Sequence, residues 1–410
     1  MRDLAADFLR FVCQTSPAPL GIEVVRAEGA RVWDASGREY LDLLSGIGVG
    51  NVGHRNPDVV AAVKEQADRY LHTLVYGEGI LESQVELARE LAGVTPGDLS
   101  VSFFTNSGTE AIEGAMKLAR KVTGRPRFVA FDGAYHGDTT GALALCGNSL
   151  YREPFEPLLR DVLRLPFDDL DALERIDEGV AAVIVEPIQG EGGVRIPHEE
   201  FLPNLRERCT SVGALLVFDE VITGMARTGR WFACQHWDTT PDVLVLAKAL
   251  GGGLPLGAFI SRPEIMSTLS HDPPLAHVTT FGGHPLSCAA GLAALRYTAA
   301  HRLHERAAQL GELWLSRLRG WIGPLLRAVR GKGLLIGLEL DTPLHTQEFC
   351  RAAFREGLIL NWTLHRDTVV RLAPPLIMTE EDAEQALSAL GRALAGIDGS
   401  QRQRQDVTRG

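Results

Sequence analysis

Two side chains 29 residues apart (248 − 219) carry the most chemistry in this chain. Lys248 follows the apolar run Val243-Leu244-Val245-Leu246-Ala247 and precedes the glycine turn Gly251-Gly252-Gly253. Asp219 ends a second apolar run, Ala214-Leu215-Leu216-Val217-Phe218. A lysine set against apolar surface is expensive to keep charged, so its pKa falls and its neutral amine can condense with an aldehyde. A carboxylate at the end of a neighbouring buried strand can hold a pyridine nitrogen protonated, which makes the ring an electron sink. One helix and one strand fit between the two residues, so both can reach one edge of a sheet. Taken singly, Lys248 could snorkel from a strand end and Asp219 could cap a helix; together they fit a pyridine-aldehyde cofactor.

Further groups stand at strand ends. Ser107-Gly108-Thr109-Glu110 follows Val101–Phe104 and opens a helical stretch. Ser107 with Glu110 fits a capping box, and the same unpaired N–H groups and hydroxyls can cradle a phosphate. Tyr135-His136-Gly137 follows the run ending at Phe131, where an aromatic side chain could stack on a flat ring or simply pack. No H-E-x-x-H or comparable metal spacing occurs, and the triple glycine lacks the G-x-G-x-x-G of a dinucleotide site.

The elements that must position these groups read as follows. Strands are expected at Val101–Phe104, Arg127–Phe131, Val180–Val185, Leu215–Phe218, Val243–Leu246 and Ala258–Ser261. Their unbroken apolar character predicts an α/β fold with a mostly parallel central sheet covered by helices on both faces. Before them come a short helix over Asp3–Cys13, three strands of a meander between Glu23 and Asp42, and a helix from Pro57. After them come one long helix from Leu286 to Gln309, strands at Gly333–Leu340 and Val369–Leu372, and helices at Thr346–Glu356 and Glu380–Ile397. The expected organisation is a segment over 1–55 that packs with a smaller α+β unit over 298–398, a large unit over 56–297, and a frayed tail over 399–410.

Composition narrows the partners. With 410 residues, 45% hydrophobic and 23% charged, the chain exceeds one ordinary core and reads as a globular protein. Its 41 basic and 52 acidic residues give a formal charge of -11, which argues against nucleic acid or anionic membrane as a partner. Six cysteines without a C-x-x-C pair fit reduced thiols in the cytoplasm, and neither a secretory signal nor a membrane-spanning run is present.

In this order the motifs resemble those of class III, fold-type I, pyridoxal-phosphate-dependent aminotransferases. The chain is most similar to the acetylornithine, ornithine, 4-aminobutyrate and putrescine group. The likeness runs from about residue 15 to residue 395. It includes Asn51-Val52-Gly53-His54-Arg55-Asn56-Pro57, Glu186-Pro187-Ile188-Gln189-Gly190, Phe218-Asp219-Glu220-Val221, Ala247-Lys248-Ala249-Leu250-Gly251, Thr279-Thr280-Phe281-Gly282-Gly283, Arg330-Gly331-Lys332-Gly333 and Arg371-Leu372-Ala373-Pro374. The resemblance implies pyridoxal 5′-phosphate bound to Lys248, which then shuttles a proton, with Asp219 on the pyridine nitrogen. It implies Ser107, Gly108 and Thr109 on the phosphate, Tyr135 stacked on the ring, and His136, Val221 and Ile222 beside the cofactor. Glu186 is expected behind Asp219, and Thr280 on the phosphate of a neighbouring subunit, hence a homodimer with shared active sites. Arg371 is expected to clamp a substrate carboxylate, with Glu191 covering it in turn; Thr279 and Asp138 complete the substrate side.

Two positions depart from the pattern. Asp138 stands where relatives often carry an arginine, and Ile222 where many carry a glutamine. The implied reaction transfers the terminal amino group of an ω-amino compound, of acetylornithine or ornithine type, to 2-oxoglutarate, giving glutamate by ping-pong exchange. A diamine donor, an aminomutase or racemase, and a catalytically silent binding protein are the alternatives.

Overall fold

The computed structural model describes residues 3–17 and 19–409, and the side chains of the last helix as far as Ile397. Its centre is a seven-stranded sheet with the spatial order 101–105, 257–261, 243–246, 215–219, 180–185, 127–131, 162–165. All neighbours are parallel except Gly257–Ser261, which runs antiparallel to both strands beside it. Every residue of Val180–Val185, Leu215–Asp219, Val243–Leu246 and Gly257–Ser261 is buried. Strands covered on both faces need no alternation, which is why these segments are continuously apolar. The strand Val162–Leu165 was not among the expected ones; as an edge strand it is only partly buried and carries Arg164, so its apolar run is broken.

The parallel register sets up the chemistry. Val217 pairs with Val243 and Asp219 with Val245, so the ends of these two strands emerge side by side. Ligands in open α/β sheets bind outside this carboxyl edge. Helix Gly108–Thr123 lies across the sheet with Gly114 facing Phe259; a Cβ there would stand 2.3 Å from the Phe259 ring.

Two smaller sheets flank the centre. Val24–Glu28, Arg31–Asp34 and Glu39–Asp42 form an antiparallel meander, joined in parallel by Leu358–Ile359 far along the chain. Leu326–Lys332, Leu335–Leu340, Val369–Leu372 and Asn361–Trp362 form an antiparallel sheet. Here the structure corrects two expectations. The strand predicted over Gly333–Leu340 starts at Leu335, because Gly333 (φ 53°) turns a hairpin whose first arm, Leu326–Lys332, was missed. The single helix predicted over Leu286–Gln309 is two, Pro285–Ala300 and Leu303–Arg319, broken where Arg302 takes φ 48°. Both helices bury apolar residues next to the break, so the pattern reads through it. The final helix is Glu380–Arg409, and the frayed tail expected over 399–410 concerns side chains outside the described residues. Among the described residues no helix is long and apolar enough to cross a membrane.

The tight seam at Gly114 yields a test of this packing. Gly114→Ala should lower the denaturant midpoint by the equivalent of about 1–3 kcal/mol, as overpacked cores do. Gly396→Ala, on a helix where an added Cβ meets nothing within 4 Å among the described residues, should be neutral or slightly stabilising. Equal effects at the two positions would contradict the described seam.

Candidate active site

A cavity of about 510 Å³ opens at the carboxyl edge of the central sheet, a size ordinary for small-molecule sites. Ser107, Gly108, Thr109, Tyr135, His136, Asp138, Glu186, Glu191, Asp219, Val221, Ile222 and Lys248 all line it. Twelve of the fifteen sequence-predicted site residues thus meet in one place. Arg371 stands just behind Glu191. Thr280 is exposed and does not line the cavity, and Thr279 spends its hydroxyl accepting the Gly282 N–H at 2.9 Å. These two residues are not brought to the site within one chain.

Local folding explains the placement of Lys248. The strand stops at Leu246, and the chain enters a tight helical turn, Lys248–Gly251, with Lys248 at φ 49°. A side-chain-bearing residue in the left-handed region costs on the order of 1–3 kcal/mol, and such strain collects at functional sites. Gly252 closes the turn at φ 60°, where a Cβ would stand 2.6 Å from the Ala290 carbonyl. No side chain among the described residues hydrogen-bonds the Lys248 amine. Burial and the nearby Arg371 charge push its pKa below the ordinary lysine value, against the pull of Glu191, Asp219 and Glu186.

Asp219 is held rather than free. Its Oδ1 accepts the Val221 N–H at 3.0 Å, and its Oδ2 lies 2.7 Å from Nδ1 of His136. His136 is buried; burial alone would lower its pKa, but the Asp219 carboxylate outweighs this and raises it. Its Nε2 is buried with no hydrogen-bond partner. Glu186 lies behind this pair, accepting the Tyr135 N–H at 3.1 Å and the Gly190 N–H at 2.7 Å. Burial, helped by the Asp219 charge, pushes Glu186 up to about 7 despite His136 and those two N–H groups.

The helix N-terminus takes a form slightly different from the expected capping box. Ser107 Oγ accepts the Glu110 N–H at 3.3 Å, but Glu110 reaches past Ser107 to the N–H and side-chain amide of Asn106, at 2.7 and 2.9 Å. The carboxylate lies one residue further back, so it does not occupy the Ser107 N–H. Thr109 and Thr139 share a hydroxyl contact of 2.7 Å, and Glu113 accepts from Thr139, Gly141 and Ala142. This brings the loop carrying Tyr135 and His136 over the helix N-terminus. Gly137 (φ 121°) makes the approach possible, because a Cβ would stand 2.3 Å from the Thr109 hydroxyl.

Beside Glu191 on the cavity wall, Arg371 Nη1 donates to Glu191 Oε1, and the second Glu191 oxygen accepts the Leu364 N–H at 2.7 Å. Arg371 is 3% exposed and its Nε has no partner. Burial would raise Glu191, but the guanidinium holds it below the ordinary carboxylate range. Arg330 fixes the loop that carries Glu191 by donating to the Gly193 carbonyl at 2.8 and 2.6 Å.

Sequence reasoning missed Arg227. It is fully buried, has no carboxylate partner among the described residues, and donates to Ser45, Asn51, Leu334 and Pro374. Burial, reinforced by Arg371, pushes it down to about 9. An arginine as the one charged residue in the small, glycine-containing stretch Ile222–Gly229 was the available signal. Val49, which also lines the cavity, is held beside this network. The residues present fit a phosphorylated pyridine aldehyde: an amine without a partner, a carboxylate backed by a histidine, and a helix N-terminus narrowed by glycines.

A family model described as aminotransferase class-III matches residues 13–394. Over 376 residues, 91% of this chain and 94% of the relative, the sequence is 46% identical to an acetylornithine aminotransferase of Methanopyrus kandleri. The structure superposes on the ornithine aminotransferase of Toxoplasma gondii, which holds PLP at partial occupancy, with a TM-score of 0.91 and 33% identity over 98% of this chain and 95% of that one. An (S)-enantioselective omega-transaminase from Thermomicrobium roseum gives a TM-score of 0.89 and 31% identity over 96% and 98% of the two chains. These likenesses cover nearly the whole molecule and agree with the chemistry of its cavity: the chain belongs to the class-III aminotransferases, fold-type I enzymes that work with pyridoxal 5′-phosphate.

Proposed function

We propose that this enzyme takes the terminal amino group from an ω-amino compound of acetylornithine or ornithine type and delivers it to 2-oxoglutarate. The observation that carries this reading is the buried Arg371–Glu191 pair on the cavity that holds Lys248. A ping-pong transferase must accept two unlike partners in one pocket. With Glu191 in place, Arg371 is neutralised and a donor with an uncharged or cationic reacting end enters. With Glu191 displaced, the planar guanidinium is free to take a carboxylate in two parallel hydrogen bonds.

When bound, pyridoxal phosphate supplies an aldehyde that captures amines and a ring that withdraws electrons from the carbon bearing them. Ser107, Gly108 and Thr109 would hold its phosphate and Tyr135 would pack on its ring. Asp219 would pair with the ring nitrogen and favour its protonated form, and His136, hydrogen-bonded to Asp219, steadies that carboxylate. Val221 and Ile222 close the other side and exclude water; Ile222 offers no hydrogen bond where a glutamine would. Lys248 Nζ, whose desolvation favours the neutral amine, is placed to accept the proton from the carbon that carries the substrate amine, and would pass it to the cofactor's aldehyde-derived carbon rather than back to the substrate. In a homodimer, which we take as the working form, Thr280 would reach the phosphate of the second copy's site. The exposed apolar residues Leu71, Leu74, Ile80, Leu275 and Phe281, the last beside Thr280, support such a covered face. We place the large unit at 56–297 and the small one at 298–398 with 1–55, in a cytoplasmic protein whose cysteines are unpaired.

Three outcomes test this. Lys248→Ala should lose the visible absorbance that borohydride bleaches, and transamination should fall by at least about 100-fold; full turnover in that variant would refute the assignment. Glu191→Gln should lower kcat/KM for the ω-amino donor about tenfold while leaving the glutamate half-reaction equal or faster, and Arg371→Lys should impair the glutamate side instead. Equal losses on both sides would remove the gate. Glu186 gives a pH test. Its folded pKa of about 7 lies above the ordinary 4.5, so the native state binds the extra proton. Stability from this group is present below about pH 4.5 and is lost as pH rises towards about 7. Denaturant midpoints of Glu186→Gln should lack that decline, even though the amide leaves one N–H without an acceptor.

A further inference from the structure

We propose that His365 is a positioning residue: it anchors the short segment that keeps Glu191 on Arg371, and so sets how readily the carboxylate site opens. This rests on the aminotransferase reading above and adds to it the residue that governs access to Arg371.

Glu191 is carried by the turn between Gln189 and Arg195, whose backbones pair with each other. Residues 363–366, between strands Asn361–Trp362 and Val369–Leu372, clasp this turn twice. The Leu364 N–H donates to Glu191 Oε2 at 2.7 Å, and the His365 N–H donates to the Glu191 carbonyl at 3.0 Å. Arg371 lies on the strand that this segment leads into, so the groups that hold Glu191 come from one hairpin. Two backbone donors hold only as firmly as the segment that bears them. Leu364, Arg366 and Asp367 are exposed, and Arg366 donates to Glu339 of the same small sheet at 2.8 Å.

The His365 side chain is what carries the clasp onto the loop beside the central sheet. Its Nδ1 lies 3.3 Å from the Gly133 carbonyl, which can only accept, so Nδ1 bears a proton. Its Nε2 lies 3.7 Å from Cys146 Sγ. Its ring stacks on Tyr151 at 5.2 Å and meets the Tyr135 ring edge-on at 5.7 Å. The Tyr151 hydroxyl adds a bond to the Leu364 carbonyl at 2.8 Å. Burial lowers the His365 pKa, against the Gly133 carbonyl and the charges of Glu191 and Asp138, which favours the neutral ring. The Gly133 carbonyl also lies close to Gly192, next to Glu191; a Cβ there would stand 2.8 Å from it. One imidazole thus joins the loop of Tyr135, the turn of Glu191 and the hairpin of Arg371.

Glu191 must leave Arg371 before a carboxylate can bind, so contacts made only in the closed form lower the apparent affinity for that carboxylate. Removing the anchor should therefore weaken the donor side and favour the carboxylate side. A residue that merely supported the fold would impair both.

Glutarate, a five-carbon dicarboxylate with neither amine nor ketone, reads the gate without turnover. By calorimetry on the protein loaded with pyridoxal phosphate, it should bind His365→Ala about fivefold more tightly than the parent. Misfolding cannot produce such a gain. With N-acetylornithine, His365→Ala should lower kcat/KM about fivefold, as loss of one neutral hydrogen bond does, and leave the glutamate half-reaction equal or faster. His365→Asn keeps an N–H where Nδ1 stands, and should return both values to within about twofold of the parent. In the Glu191→Gln background, His365→Ala should change neither value further, because its effect runs through Glu191. Equal losses in the two half-reactions, unchanged glutarate affinity, additive losses in the double variant, or an Asn variant no better than the Ala one would each overturn the inference. Failure of the aminotransferase reading looks different: the parent then does not exchange glutamate, or Glu191→Gln itself shows no split between the half-reactions.

Discussion

Lys248 is an amine enclosed by protein, in the field of three carboxylates, and bonded to none of them. Had any of Asp219, Glu186 or Glu191 closed on it, a salt bridge would hold it protonated and unreactive. Each carboxylate is kept from doing so by a different partner: a histidine, a pair of backbone N–H groups, and an arginine. The hydrogen-bonding arrangement around the cavity is thus a way of keeping one amine free. The left-handed backbone at Lys248 belongs to the same arrangement, since it turns the residue out of the sheet direction just past the strand end.

The surrounding structure supplies rigidity where this arrangement needs it. Arg227 joins the loop after Asp219 to Ser45 and Asn51 on one side and to Leu334 and Pro374 on the other. An unpaired buried guanidinium is costly unless several acceptors converge on it. Those acceptors come from segments distant in sequence, so satisfying one cation locks the wall behind Arg371. Glu220 does comparable work next to Asp219. It is buried and accepts from Ala233, Cys234 and Thr223, which fixes the turn that ends the strand. The Glu191–Arg371 pair sits between these fixed parts, with a backbone N–H as the second anchor of the glutamate.

Much of this was legible from residue order. Continuous apolar runs identified six of the seven central strands, since burial on both faces leaves an unmistakable trace; the missing one is an edge strand interrupted by an arginine. Strand ends marked Lys248, Asp219, Ser107 and Tyr135, because an α/β sheet gathers its chemistry at one edge. Less legible were breaks that leave hydrophobic spacing intact, as at Arg302, and the hairpin before Leu335. A left-handed residue changes chain direction without changing composition.

Motif order, through its resemblance to a known family, pointed to the class of chemistry, because an amine and a carboxylate at the ends of two buried strands fit a pyridine-aldehyde cofactor. Tertiary structure decided which charges meet, although the resemblance had already implied that Glu191 covers Arg371. Residue order placed His136 and Asp219 83 apart, and Glu191 and Arg371 180 apart; nothing local obliges either pair to touch. It likewise left Asp138 between a solvated role and a substrate contact; in the structure it lines the cavity as an exposed residue and accepts the Tyr135 hydroxyl. Whether a charge is cancelled depends on three-dimensional proximity in a medium of low polarity, a quantity that no one-dimensional pattern encodes.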